Sequence, residues 1–135
     1  MADIIPFDQR DGSLWFDGKL VPWRDAKIHV LTHGLHYASS VFEGERLYSG
    51  RIYKLEEHTT RLFESARILG MKIPYTEDQI NKATLEAVAA QGFTDAYVRP
   101  VVYRGSEQMS VAAPKSHIHV AIAAWQWPSY FDPTE

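Results

Sequence analysis

The sequence predicts an α+β fold, an antiparallel sheet with two helices packed on one side. Three observations lead there: glycine-containing turn pairs between short apolar runs early in the chain, two consecutive stretches of helical periodicity in the middle, and two longer strand-like runs after them. Strands, then helices, then strands again do not give the steady β–α alternation of a parallel, doubly wound sheet.

In chain order, Asp17-Gly18 separates Leu14-Trp15-Phe16 from Lys19-Leu20-Val21, and Ser49-Gly50 separates Glu45-Arg46-Leu47-Tyr48 from Arg51-Ile52-Tyr53-Lys54. Glycine accepts the positive φ that a two-residue hairpin loop requires. In the second pair polar and apolar residues alternate, as in a sheet with one face buried. Over residues 56–69, apolar side chains fall at Leu62, Phe63, Ala66 and Leu69, a helical spacing, after which Gly70 stops the helix and Pro74 forbids its continuation. A second helix starts at Thr76, whose hydroxyl can cap while Gln79 reaches back. Ile80, Ala83, Ala87 and Val88 line its buried face, and Gly92 ends it. Residues 96–103 and 117–127 are the closing strands, joined by a loop over 106–116.

The 135 residues amount to one ordinary domain, with 45% hydrophobic and 23% charged residues, enough to bury a core. A net charge of −3 offers no basic excess for a nucleic-acid partner. With no cysteine there is neither a disulfide framework nor a thiolate site, which fits a reducing compartment. Residues 1–10 lack the pattern of a signal peptide, and the most apolar stretch, 120–127, is too short to span a bilayer. A soluble, cytoplasmic protein without membrane or nucleic-acid partners is expected. The aromatic fraction of 13% suggests a dense core or a large interface. Pro128 and Pro133 accompany residues 129–135, which read as the start of a linker to a second domain.

Four features could carry chemistry. His29, His33 and His36 are spaced four and three apart, so on a single helix they would share a face, as metal ligands often do. Gly34 and the β-branched Val30 and Thr32 interrupt such a helix, and no HExxH pattern is present. Structural or supporting histidines are expected, and no metal. Residues 37–44, Tyr-Ala-Ser-Ser-Val-Phe-Glu-Gly, set small residues around aromatic ones, which allows close approach of backbone to a ligand or, more plainly, a strand with a glycine kink. Arg61 sits beside Leu62 and Phe63, where a snorkelling side chain is the ordinary outcome and a clamp for phosphate or carboxylate the sharper one. Tyr97 and Arg99 alternate onto one face of a strand. A phenol beside a guanidinium suits a carboxylate, and equally a solvated face with a cation–π contact.

Together these segments resemble the class IV (fold-type IV) pyridoxal-phosphate aminotransferases, and specifically their branched-chain group. The resemblance runs from residue 14 to about 130. It is carried by Trp15-Phe16-Asp17-Gly18-Lys19, Ala26-Lys27-Ile28-His29-Val30, His33-Gly34-Leu35-His36-Tyr37, Val41-Phe42-Glu43-Gly44, Glu57-His58 with Arg61-Leu62, Tyr97-Val98-Arg99-Pro100 and Ala123-Ala124-Trp125-Gln126-Trp127. It implies that residues 1–128 are the N-terminal small domain and 129–135 the start of the interdomain linker, with a C-terminal catalytic-lysine domain absent from the chain. None of Lys19, Lys27, Lys54, Lys72, Lys82 and Lys115 matches the Schiff-base lysine, so no catalytic residue is expected here, and the isolated chain should be inactive and retain no cofactor.

The full-length enzyme would transfer an amino group from leucine, isoleucine or valine to 2-oxoglutarate, as a homo-oligomer, a dimer or higher. Arg61 matches the arginine that contacts the cofactor phosphate. Tyr97 and Arg99 match the pair that recognises substrate carboxylates, with Arg99 on the distal carboxylate of glutamate. Phe42, Tyr37 and Trp127 match the apolar walls of the pocket, which Tyr130 joins, and Tyr37 and Val111 would complete the pocket of the neighbouring subunit. The alternatives are a D-amino-acid transaminase or aminodeoxychorismate lyase of the same fold type, and a stand-alone module binding small carboxylates through Tyr97, Arg99 and Arg61. An isolated copy should expose apolar surface and self-associate.

Overall fold

A computed structural model of the chain describes residues 5–126, so Trp127 and Tyr130 lie outside the described residues. Both predicted hairpins form because both residues of each loop adopt positive φ. Asp17 and Gly18 (φ 48° and 106°) join β1 (Ser13–Phe16) to β2 (Lys19–Pro22). Ser49 and Gly50 (φ 49° and 81°) join β4 (Glu45–Tyr48) to β5 (Arg51–Ile52). The latter strand is shorter than the expected 51–54. Lys54 turns to φ 57° and becomes the residue before the helix, so the chain leaves the sheet at Tyr53.

Helix α1 is a single short element, His33–Tyr37, closed by Ala38 in the left-handed region. The next helix, α2 (Leu55–Ile68), buries Thr59, Leu62 and Ala66 at helical spacing. It is followed by α3 (Glu77–Gln91), which carries the full capping box at Thr76 and Gln79 and ends at Gly92 with φ 74°. The two helices are tied by a hydrogen bond from Thr59 Oγ1 to Asn81 Oδ1.

The seven-stranded antiparallel sheet, completed by β3 (Ser40–Phe42), β6 (Ala96–Arg104) and β7 (Ile118–Trp125), runs β2-β1-β7-β6-β4-β5, with β3 also paired to β6. Alternation divides its long strands. Ala96, Val98 and Val102 of β6 and Val120, Ile122 and Ala124 of β7 enter the core with Leu62, Ala66, Ile80, Ala83 and Ala87 of α2 and α3. The opposite face, bearing Tyr97, Arg99, Val101 and Tyr103, carries neither of these helices. An apolar cavity of about 330 Å³ opens there between Leu14, Phe16, Leu35, Val101, Tyr103 and Ala121. The expected α+β sheet with two helices on one side is therefore the observed architecture.

Candidate active site

Strand β6 is the spine of the site. Its first half pairs with β4 through Val98 and its second with β3 from Val101, and the edge between them is interrupted at Glu43 and Gly44. Pro100 accounts for the interruption. Its carbonyl accepts the Glu43 N–H at 3.1 Å, so the side on which proline lacks a donor is the side where the neighbouring ladder breaks. Gly44 lies against Tyr97, and a Cβ there would collide with the Tyr97 hydroxyl. The kink expected over residues 37–44 is thus a docking place for a phenol.

On the open face the period of β6 brings Tyr97 and Arg99 together: Arg99 Nη2 donates to Tyr97 Oη at 2.9 Å. The Arg99 guanidinium also lies 4.2 Å from the centre of the Phe42 ring. Trp125, from β7, packs on Tyr97 with ring centroids 4.8 Å apart. An apolar aromatic floor with one cation at its edge can take either an aliphatic side chain or a carboxylate.

Behind the break, Glu43 organises the start of α2. Its carboxylate accepts Arg61 Nε at 2.9 Å and Nη2 at 2.7 Å, and sits 2.6 Å from His58 Nδ1. Burial alone would raise the Glu43 pKa, but hydrogen bonds and charge from Arg61 and His58 outweigh it and hold the carboxyl below its ordinary range. Arg61 therefore does not merely snorkel. It is bidentate to a carboxylate only 5% exposed while its own side chain remains 68% exposed, beside a shallow depression lined by Tyr53, Lys54, Glu57 and His58. Pyridoxal phosphate, the implied cofactor, fits this donor set at its phosphate end. Arg61 Nη1 has no partner among the described residues, and the guanidinium is already oriented.

Glu45, two residues on, has neither arrangement. It shares the inward register of Leu47, is 1% exposed, and neither carboxyl oxygen has a hydrogen-bond partner among the described residues. Burial, and then the charge of Glu43, push its pKa up to about 8. The expected alternation of this strand holds, with Glu45 and Leu47 inward, but one of the two inward residues is polar.

Tyr37 and the loop that carries Val111 meet elsewhere. Tyr37 Oη donates to Met109 O at 2.9 Å, in the loop that carries Val111, itself 77% exposed. This cluster lies at the Tyr103 end of β6, six residues from Tyr97, roughly 20 Å along the strand. His33 is buried, with Nδ1 2.6 Å from Ser39 Oγ and Nε2 2.9 Å from Ser110 O. His36 Nε2 lies 2.8 Å from Val30 O, and His29 Nδ1 accepts the Leu31 N–H. Each of these three rings is thus engaged in a hydrogen bond within the protein. Sequence reading missed Glu43 and His58 as organisers of Arg61. The available signal was His58 and Arg61 three apart on one helix, facing an acidic residue before a glycine.

A family model described as amino-transferase class IV matches residues 40–134. The chain is 52% identical over 125 residues to the branched-chain-amino-acid aminotransferase of Pseudomonas aeruginosa, covering 90% of this chain and 41% of that one. Among solved structures, the branched-chain aminotransferase of Thermoproteus uzoniensis with norvaline superposes with a TM-score of 0.83 at 39% identity, over 90% of this chain and 42% of that chain. The T.th. branched-chain amino acid aminotransferase complexed with N-(5'-phosphopyridoxyl)-L-glutamate gives 0.83 at 37%, over 87% and 41%. The chain thus spans about two-fifths of the length of these relatives.

Proposed function

The chain belongs to the amino-transferase class IV family, and from that premise we propose that it supplies the substrate-recognition face and one phosphate contact of a cytoplasmic branched-chain-amino-acid aminotransferase. Pyridoxal phosphate, when bound, supplies the electron sink through which an amino group passes between an amino acid and a 2-oxo acid. The lysine that anchors it lies outside these 135 residues, in a C-terminal domain that follows the small domain (1–128) and the linker starting at 129–135, and the isolated chain has no transaminase activity. Arg61, held by Glu43, whose carboxylate His58 also contacts, takes a phosphate oxygen. Phe42 and Tyr97 form the wall for leucine, isoleucine or valine. Arg99 supplies the counter-charge when 2-oxoglutarate or glutamate enters the same pocket, where an unpaired carboxylate would be costly.

The observation that carries this reading is the Arg99 guanidinium, bonded to Tyr97 Oη and lying over the Phe42 ring, on the open face of the sheet. It gives one ledge an apolar surface and a cation, as the two substrates require. Norvaline and a glutamate adduct in the two related structures support the same pairing. In the full-length enzyme, Arg99→Ala is expected to raise the KM for 2-oxoglutarate at least tenfold while leaving that for 4-methyl-2-oxopentanoate within about threefold. Equal loss on both would remove the assignment, and activity on D-alanine without activity on leucine would replace the substrate class.

The same reading makes the enzyme a homo-oligomer in which Tyr37 and Val111 complete the pocket of a neighbouring subunit. The distance along β6 supports it, since Tyr37 and the Val111 loop sit away from Tyr97 and Arg99 of their own chain. So does the exposed apolar surface running through Val30, Leu31, Leu35 and Tyr37. Light scattering on the full-length protein giving only monomer at micromolar concentration would count against it.

A further inference from the structure

Away from Tyr97, Arg99 and Arg61, the loop between β6 and β7 folds back to bring an acidic residue onto two histidines. Glu107 Oε2 lies 3.5 Å from His117 Nδ1 and 3.7 Å from His119 Nε2. One ligand atom from each of the three residues falls within 4.8 Å of the other two. A tetrahedral zinc ion with bonds of about 2.0–2.1 Å separates its nitrogen and oxygen ligands by about 3.3 Å. Two of the three edges are therefore within a few tenths of an ångström of that spacing.

Each ligand is also prepared by what holds its other end. The Asp17 carboxylate, whose Oδ1 accepts the Val120 N–H at 2.9 Å, places Oδ2 2.6 Å from His119 Nδ1. This assigns the ring proton to Nδ1 and leaves the Nε2 lone pair available, the carboxylate–histidine arrangement that supports metal ligands. Tyr103 stacks on the same ring at 5.2 Å, fixing its plane. Glu107 commits Oε1 to the His117 N–H at 2.9 Å, so Oε2 is the oxygen left for the histidines. The floor is Gly105, where a Cβ would lie 2.5 Å from His119 Nε2 and 2.6 Å from Glu107 Oε1. His117 is 75% exposed, which gives an ion a way in and leaves a fourth position for water.

We propose that Glu107, His117 and His119 bind a divalent cation of borderline softness, zinc above all, which fastens the loop over residues 105–117 to the start of β7 and, through Asp17, to the β1–β2 turn. Two imidazoles and one carboxylate select zinc over magnesium or calcium, which prefer all-oxygen sets. The test uses the full-length protein, stripped with a chelator and titrated with Zn²⁺ against a chromophoric competitor, with Co²⁺ as a visible-absorption probe. One equivalent should bind at these residues. Glu107→Gln, His117→Ala and His119→Ala should each weaken it at least 100-fold, and Asp17→Asn, which removes only the orienting charge, by 10–100-fold. His117→Ala keeps the test open if the more buried His119 variant fails to fold. Absence of zinc binding at micromolar concentration, or binding unchanged by both Glu107→Gln and His117→Ala, would overturn the proposal.

Discussion

Glu43 and Glu45 stand two residues apart on one edge of the sheet, both buried, and they differ in what the second layer offers them. Glu43 lies at the break opposite Pro100, where α2 presents His58 and Arg61, and its carboxylate accepts bonds that keep it ionised. Glu45 begins β4, opposite Val98, on the face that packs against the apolar side of the helices, and its oxygens have no hydrogen-bond partner among the described residues. Burial penalises charge at both places. Only at Glu43 is the penalty offset by opposite charge and donors, so one carboxyl is pushed below its usual range and the other up to about 8. The charge state of a buried acid is set by its partners, and the break in the edge is what admits them.

The largest expected effect tests the Glu45 half of this contrast. The folded state holds the Glu45 proton more tightly than the unfolded chain does, because the pKa rises from 4.5 to about 8. Its contribution is intact below pH 4.5 and is lost as pH rises through 8, on the order of 5 kcal/mol in all. Denaturant unfolding followed by circular dichroism from pH 4.5 to 8.5 should show Glu45→Gln losing much less stability than the parent across that window. Parallel slopes would mean that Glu45 finds a partner in solution.

Glu43→Gln should cost about 2 kcal/mol at pH 7, through the loss of charge-assisted bonds to Arg61 and His58. Its pH dependence should have the opposite sign. Because the folded pKa is lowered, the stabilisation is present above 4.5 and disappears as pH falls through the folded value, so parent and variant should converge in acid. Thr76→Ala, remote from both carboxyls, should remove about 1 kcal/mol with the capping box and leave either pH slope unchanged. Arg61→Lys should give the smallest shift, since the charge stays while the fork to Glu43 is lost, and combined with Glu43→Gln it should add little.

The elements legible in the sequence are those whose causes are local. Asp17-Gly18 and Ser49-Gly50 make hairpins because consecutive residues must take positive φ, and Thr76 with Gln79 caps a helix within four residues. Tyr97 and Arg99 share a face because a strand alternates. Arg61 was legible as a candidate but its state was not, since the carboxylate that fixes it is 18 residues away across the break at Pro100. Histidine spacing pointed to His29, His33 and His36, yet the His33 ring is satisfied by Ser39 and by Ser110, 77 residues on. The pair of histidines that gathers around one carboxylate is His117 and His119, the latter oriented by Asp17 at the far end of the chain.

By itself, then, the sequence determined the α+β class, the hairpins, the helix limits and faces, and the residue types able to recognise a carboxylate, all through φ preference, capping and periodicity within a few residues. Tertiary structure alone decided that Glu43 is charged and Glu45 protonated, that Gly44 makes room for Tyr97, and that Glu107 meets two histidines. Those outcomes depend on desolvation and on partners 10 to 53 residues distant, which no local pattern encodes.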